Sequence, residues 1–432
     1  MKIPEILLVE SHHKPGSLAK ILQVIGDCGL VVEHLNAIRR DQDKTVWEIT
    51  LEMDEDVHYG LYEKLEALPN ARLLGKSDRV FNRHRGGKIR MHSRLPIATL
   101  QELRDIYTPG VARVCLAIRD NPWLAREYTY LNESVAIVTN GTAILGLGDI
   151  GPVAGMPVME GKAALFDKFV GLSGIPILLE ERDPDRLVEH IVAMAPSFGA
   201  IQLEDIAAPA CFEVEEKLKA RLTKPVLHDD QHGTAVVTLA ALMSAAKRVG
   251  TDLTKSVVGQ IGLGSAGIGI ARLLQAYGVE QVVGADLNEA ALARLESMGG
   301  RRAELPDLMA ECDVVIACTG VKGLIKPDWV REGQIVFALS NPDAEIEPNV
   351  ALAQGAAYAA DGKGINNALG FPGLFRGALD AHASAFNDAM LFAAARTLSE
   401  LAPEDELVPE SLDPKVHEAV ARAVAEAAEA GD

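Results

Sequence analysis

Gly262, Leu263, Gly264, Ser265, Ala266 and Gly267 form a GxGxxG run in this 432-residue chain. The stretch SVVGQIG (256–262) before it predicts a strand, and Ile268–Tyr277 after it a helix. In that setting Gly262 permits a tight turn and Gly264 lets the backbone approach a pyrophosphate. Gly267 lets helix and strand pack closely. Unpaired N–H groups at the helix start would take the phosphates. Asp286 ends the next predicted strand, QVVGAD (281–286), where it could bind ribose hydroxyls. Its carboxylate repels a 2′-phosphate, which favours NAD, with NADP as the second candidate. The other role open to Asp286 is that of a solvated turn acid.

A second set is acidic. Glu204, Asp205 and Asp230 close the apolar runs AIQLED (200–205) and KPVLHDD (224–230), and IPILLE (175–180) also ends in an acid. In a parallel sheet the carboxyl ends of all strands lie on one edge, so these acids gather at one rim. Hard divalent cations such as Mg²⁺ or Mn²⁺ take oxygen ligands. Adjacent strand residues point to opposite faces, so Glu204 and Asp205 can share a cation only if the backbone bends there. Singly, each acid is more often a surface or capping residue than a ligand.

The third signal is the glycine-rich stretch 138–169, with Lys162 following Glu160-Gly161. Lys162 is expected at the start of a helix, Ala163–Val170. A helix N-terminus and a nearby cation would both disfavour its charged form, lowering its pKa and fitting it to act as a general base. An exposed helix-start lysine is the ordinary alternative.

The elements that must carry these residues are α/β throughout. Residues 1–80 read as a βαββαβ unit: a strand at Ile3–Val9, a helix after His13-Lys14-Pro15-Gly16-Ser17-Leu18, strands at Val31–Arg39 and Thr45–Glu52, a helix at Val57–Leu68, and a last strand at Ala71–Leu74. Residues 72–94 hold eight Lys or Arg and one acid, and 81–94 is expected to be a basic linker. Residues 95–230 form a parallel-sheet catalytic domain. Residues 231–395 form a Rossmann domain, opened by a helix at Thr234–Val249, with further strands at DVVIACTG (313–320) and QIVFALSN (334–341). Residues 396–432 are an acidic helical tail.

Composition narrows the function. The formal net charge is −19, which argues against a nucleic-acid partner. No uncharged stretch reaches membrane-spanning length, and the N-terminal apolar run is too broken for a signal peptide. Cys28, Cys115, Cys211, Cys312 and Cys318 are odd in number and lack CxxC spacing, as expected of reduced thiols in a cytoplasmic protein.

The segments IYTPGVA (106–112), NGTAILGLGDIGPVAGMPVMEGKA (140–163), IQLEDIAAP (201–209), HDDQHGTA (228–235), LSNP (339–342) and GINNALGFPGLFRGAL (364–379) resemble, in order, the signature blocks of bacterial malic enzymes. The resemblance covers about residues 95–390. It implies oxidation and decarboxylation of L-malate to pyruvate, with Lys162 as general base and Tyr107 as the acid that protonates C3. Glu204, Asp205 and Asp230 would hold the divalent metal. Asp229 would tune Lys162, and Asn341 and Asn367 would contact substrate or nicotinamide. It also implies a homodimer or higher homo-oligomer. Larger members carry an Arg where this chain has Ala143, so a malate-carboxylate contact must come from elsewhere or from another subunit. Pro15, Gly16 and Leu18 resemble the strand–helix turn of ACT domains, which implies a small-molecule effector site or a dimerising module.

Two other functions fit part of this pattern. An ACT-linked amino-acid or 2-hydroxy-acid dehydrogenase would use the nucleotide loop and leave the acids idle. A non-catalytic nucleotide sensor would bind NAD without turnover. Dependence on a divalent metal separates the first from the expected enzyme.

Overall fold

The first strand has a continuous apolar centre, Ile6–Val9, of which Leu7 and Val9 point into the core of the N-terminal unit. In the computed structural model, which describes residues 2–41, 43–54, 60–77, 79–341 and 343–430, the chain divides into units Met1–Lys88 and Ile89–Asp432. The boundary falls inside the stretch read as a linker.

The N-terminal unit runs β1 (Lys2–His12), α1 (Ser17–Asp27), β2 (Val32–Arg40), β3 (Lys44–Asp54), α2 (Leu61–Glu66), β4 (Ala71–Lys76) and α3 (Arg79–His84). Its antiparallel sheet has the order β2-β3-β1-β4, with Leu7 opposite Ile49 and Val9 opposite Trp47. Leu7, Val9, Ile49 and Leu51 bury one face against Ile21 and Ile25 of α1 and Leu61 and Leu65 of α2. Two expectations need correction. The second helix begins at Leu61, after Gly60; Val57–Tyr59 lie outside the described residues. The basic stretch expected to be irregular starts as helix α3, where Arg79 lies 2.5 Å from the buried Glu48 carboxylate. A buried carboxylate needs such a partner.

The second unit begins with α4 (Leu100–Ile106), α5 (Val111–Asp120) and α6 (Ala125–Tyr128). Thr99 caps α4, its hydroxyl and the Glu102 side chain closing a reciprocal capping box. Strands and helices then alternate: β5 (Ser134–Thr139), α7 (Pro152–Val170), β6 (Ser173–Leu178), α8 (Pro184–Met194), β7 (Ala200–Leu203), α9 (Ala210–Arg221), β8 (Val226–His228) and α10 (Asp229–Val249). The four strands form a parallel sheet in the order β6-β5-β7-β8.

The nucleotide-type domain follows: β9 (Val257–Ile261), α11 (Ser265–Tyr277), β10 (Gln281–Ala285), α12 (Glu289–Ser297), β11 (Arg301–Arg302), α13 (Leu305–Glu311), β12 (Val314–Ala317), β13 (Ile335–Ala338), α14 (Pro348–Ala353) and β14 (Tyr358–Asp361). Its parallel order, β11-β10-β9-β12-β13-β14, is doubly wound, with the switch between β9 and β12. The chain closes with α15 (Phe371–Asp380), α16 (Asp388–Leu401) and α17 (Pro414–Glu429). The acidic tail is not detached: Val416, Val420 and Val424 of α17 are buried in the main core, and His417 stacks on Phe169 of α7 at 4.1 Å.

Two helices begin earlier than the sequence suggests. α7 starts at Pro152, not Ala163, although it contains Gly155, Pro157 and Gly161. Pro152 sits in the first turn, where its missing N–H costs nothing. Gly155 lies where a Cβ would be 2.4 Å from the Ile144 side chain, so close packing outweighs weak propensity. α10 starts at Asp229, not Thr234, and is buried along most of its length.

Candidate active site

The edge where β7 and β8 end carries the acids. Asp205 follows β7 with φ 53°, a left-handed backbone uncommon outside glycine. This is the bend that lets Glu204 and Asp205 face one point. Asp230, in the first turn of α10, accepts the Asp205 N–H at 3.0 Å. Glu204, Asp205 and Asp230 each bring a carboxylate oxygen within 4.8 Å of the other two. Three hard oxygen donors at that spacing fit a divalent cation such as Mg²⁺ or Mn²⁺.

Lys162 enters from α7. It lies in the middle of the helix, so the expected influence of a helix N-terminus is absent. Its ammonium hydrogen-bonds Asp229 and stands 3.1 Å from Glu204. It also lies 4.5 Å from the Phe371 ring centroid, a cation–π contact. Burial alone would lower the Lys162 pKa, but Asp229, Glu204 and Asp230 outweigh it and raise the pKa. The expected depression is therefore corrected: without a cation, the three carboxylates favour the ammonium. The same burial pushes the acids towards neutrality, with Asp229 raised to about 7 despite Lys162. Glu204 and Asp230 are raised for the same first reason. One ammonium does not offset the burial of three carboxylates, so without a cation the lysine favours its charged form and the acids favour their protonated forms more than exposed acids do. Among the described residues Asp229 Oδ1 has no hydrogen-bond partner; it is packed against Gly233, while Oδ2 accepts from Lys162.

The glycine loop adjoins this cluster. A Cβ at Gly269, in the second turn of α11, would lie 2.5 Å from the Gln231 carbonyl oxygen, so α11 packs directly onto the turn holding Asp230. Gly267 is as tightly confined, its added Cβ 1.9 Å from the Gly262 carbonyl. A Cβ at Gly264 would meet none of the described residues within 4 Å, leaving open space in front of the loop. The α11 N-terminus has no side-chain cap, so its first N–H groups are available to an anion. Asp286 is tied to the glycine loop as well as to its own turn. It accepts the Leu263 N–H at 2.6 Å and the Asn288 N–H at 2.8 Å, which fixes the loop at the end of β10. The loop Gly262–Gly267 with Asp286 thus fits a dinucleotide.

The remaining expected residues fall at different distances from this centre. Asn367 backs onto the α10 turn, its Cβ 3.6 Å from where a Gly233 Cβ would stand. Asn341 is exposed in the loop after β13. Tyr107, at the end of α4, is 69% exposed, and its hydroxyl makes no hydrogen bond to the described residues. Three contributors escaped the sequence reading. Gln202 donates to Glu204 at 2.6 Å, the Phe371 ring faces Lys162, and Glu215 bridges the strand and helix that flank Asp229. Gln202 and Glu215 are one-residue signals without a motif. Phe371 lies in the quoted GFPGLF segment and could have been singled out there.

Comparison with known proteins matches this geometry. Residues 87–219 match the family described as malic enzyme, N-terminal domain, and residues 308–430 match malic enzyme, NAD binding domain. Residues 228–323 match the NAD binding domain of D-isomer specific 2-hydroxyacid dehydrogenases, which spans the glycine loop. NAD-dependent malic enzyme 1 of Bacillus subtilis (strain 168) is 51% identical over 98% of this chain and 97% of its own length. The NAD-dependent malic enzyme of Geobacillus stearothermophilus is 40% identical over 95% and 91%. The crystal structure of malic enzyme from Pyrococcus horikoshii Ot3 superposes with a TM-score of 0.78 at 38% identity, covering 82% of this chain and 90% of that one. With these matches and the lysine–carboxylate cluster beside a dinucleotide loop, the chain belongs to the malic enzyme family.

Proposed function

We propose that this chain catalyses the oxidative decarboxylation of L-malate to pyruvate and CO₂ with reduction of NAD⁺. The observation that carries the proposal is the Lys162–Asp229 pair set against Glu204, Asp205 and Asp230, beside the glycine loop. When bound, the dinucleotide accepts a hydride from C2, and a divalent cation polarises the C2 oxygen so that the C3–C4 bond can break.

The chain's own residues would do the rest. Glu204, Asp205 and Asp230 hold the cation, with Gln202 fixing the Glu204 carboxylate. Once a bound cation offsets the carboxylates that keep Lys162 charged, Lys162 would lose its ammonium proton to solvent and, as the neutral amine, take the proton of the C2 hydroxyl, with Asp229 orienting it through their hydrogen bond. Phe371 covers the ammonium on one side and limits water there. As CO₂ leaves, Lys162 would return its proton to the C2 oxygen to give the enol; Tyr107 would then protonate C3 while Lys162 takes the enol O–H proton back, leaving pyruvate. Asn341 and Asn367 contact substrate or nicotinamide. Asp286, at the end of β10, would favour NAD over NADP, because a carboxylate repels a 2′-phosphate.

Two further features belong to the same reading. Leu100, Leu103, Tyr107, Val111, Val114 and Leu116 are exposed, and Tyr107 lies among them. A second copy covering these residues would form a homodimer and enclose Tyr107. The N-terminal unit, with the sheet order β2-β3-β1-β4 and Gly16 at φ 81° before α1, would be an ACT-like module that takes a small effector. Saturating amino acids or central metabolites would then change the rate or the melting temperature; a screen that moves neither sinks the regulatory role.

The decisive assay is NADH or NADPH formation from L-malate with Mn²⁺, beside an EDTA control and Lys162→Ala. Metal-dependent reduction with stoichiometric pyruvate is expected, faster with NAD⁺. Loss of the base is expected to cost about 10²–10⁴-fold in kcat. Oxaloacetate formed without sensitivity to EDTA would instead indicate a simple dehydrogenase.

A further inference from the structure

Asp229 and Asp230 sit at a junction where a strand becomes a helix without an irregular residue between, since β8 ends at His228 and α10 begins at Asp229. Such a junction leaves backbone N–H groups to be satisfied. The His228 side chain makes no capping hydrogen bond. The partner comes from another helix. Glu215, on α9 and only 5% exposed, accepts the His228 N–H at 2.9 Å through Oε1. Its Oε2 lies 2.9 Å from His232 Nε2, in the first turn of α10. Lys219, one turn further along α9, stands 3.1 Å from Oε1. One buried carboxylate therefore grips the residue before Asp229 and the second residue after Asp230.

We propose that Glu215 is a positioning residue for the cation site, holding the β8–α10 junction so that Asp230 meets Glu204 and Asp205. This rests on the reading of those three acids as cation ligands. Glu215 touches neither substrate nor cation. It acts by fixing where the turn between its two contacts points, as partners behind first-line ligands generally do. The grip is specific to this geometry. An alanine leaves the His228 N–H buried without an acceptor, whereas a glutamine still offers an oxygen to it and can donate to a neutral His232.

The test is Mn²⁺ binding to the full-length chain, read by electron paramagnetic resonance of the free ion, together with thermal melting of the metal-free protein. Wild type is expected to bind one Mn²⁺ per active site and Asp230→Asn to lose it. Glu215→Ala is expected to weaken binding about 10–100-fold. Glu215→Gln should recover to within a few-fold, and the KM for NAD⁺ should not move. If Glu215→Ala does not fold, His232→Ala breaks only the helix end of the bridge and should still weaken Mn²⁺ about tenfold. A folded Glu215→Ala or His232→Ala that binds Mn²⁺ like wild type overturns the inference while leaving the cation site intact. A wild type that binds no Mn²⁺, or an Asp230→Asn that binds it unchanged, overturns the cation reading and this inference with it.

Discussion

At the scale of single residues, the site is a problem of too many carboxylates for one lysine. Lys162 contacts Asp229 and Glu204, and Asp230 adds to the field that keeps it charged. Burial raises two of the cation-facing acids, Glu204 and Asp230, above the usual carboxylate range. A group with a raised pKa holds its proton at and below that pH, and a cation must displace the proton to bind. Mn²⁺ affinity should therefore fall as pH drops through the neutral range, rather than only near pH 4. Displacement of one proton predicts about a tenfold loss per pH unit below the raised pKa. Titrations of Mn²⁺ between pH 8 and pH 5 check this; a flat affinity over that span would show that the acids ionise like exposed ones.

At the scale of elements, the site depends on the first turn of α10. There Gly233 leaves room for Asp229: an added Cβ would fall 1.9 Å from Asp229 Oδ1. That oxygen ends a flexible side chain, so Gly233→Ala should displace the carboxylate without unfolding the helix. Misplacing a catalytic group by such a margin costs on the order of 10²-fold, so kcat should fall by that factor while the melting temperature shifts little. A Gly233→Ala enzyme with wild-type kcat would remove Asp229 from the mechanism. The same turn shows what the sequence could and could not reveal. The apolar runs and the glycine signals placed β7, β9, β10 and the nucleotide loop to within a residue or two, and the need for a bend at Asp205 followed from strand geometry alone. The start of α10 was hidden because HDDQHG reads as polar loop; only burial against α9 and α11 makes it helix. α7 was hidden by its glycines and Pro157, whose cost is offset by packing that no local pattern records. Glu215 and Gln202 were hidden more deeply, since each acts across elements and carries no motif.

At the scale of the whole molecule, the second unit opens with helices whose apolar residues face outward. On α4, Leu100, Leu103 and Tyr107 recur at the spacing of one helical face. Leu100 is 73% exposed, a large cost in water if it stays so. Exposed apolar patches of this kind fit a surface that another protein covers, and a second copy is the partner that the closed symmetry of most oligomers favours. Light scattering should therefore give twice the chain mass of 46.2 kDa. Leu103→Glu should shift the protein towards the monomer, because a charge buried in an interface without a partner is strongly unfavourable. If the dimer also encloses Tyr107, this variant should lose turnover in step with dimer content while still binding Mn²⁺, since Glu204 and Asp205 follow β7 and Asp230 lies in the first turn of α10, none of them on α4. Measuring activity against protein concentration separates the two effects: turnover per chain that rises with concentration, in the variant and not in the wild type, ties catalysis to assembly. A wild-type monomer with full activity would leave the exposed face without that role and would require α4 to bring Tyr107 to Lys162 within one chain.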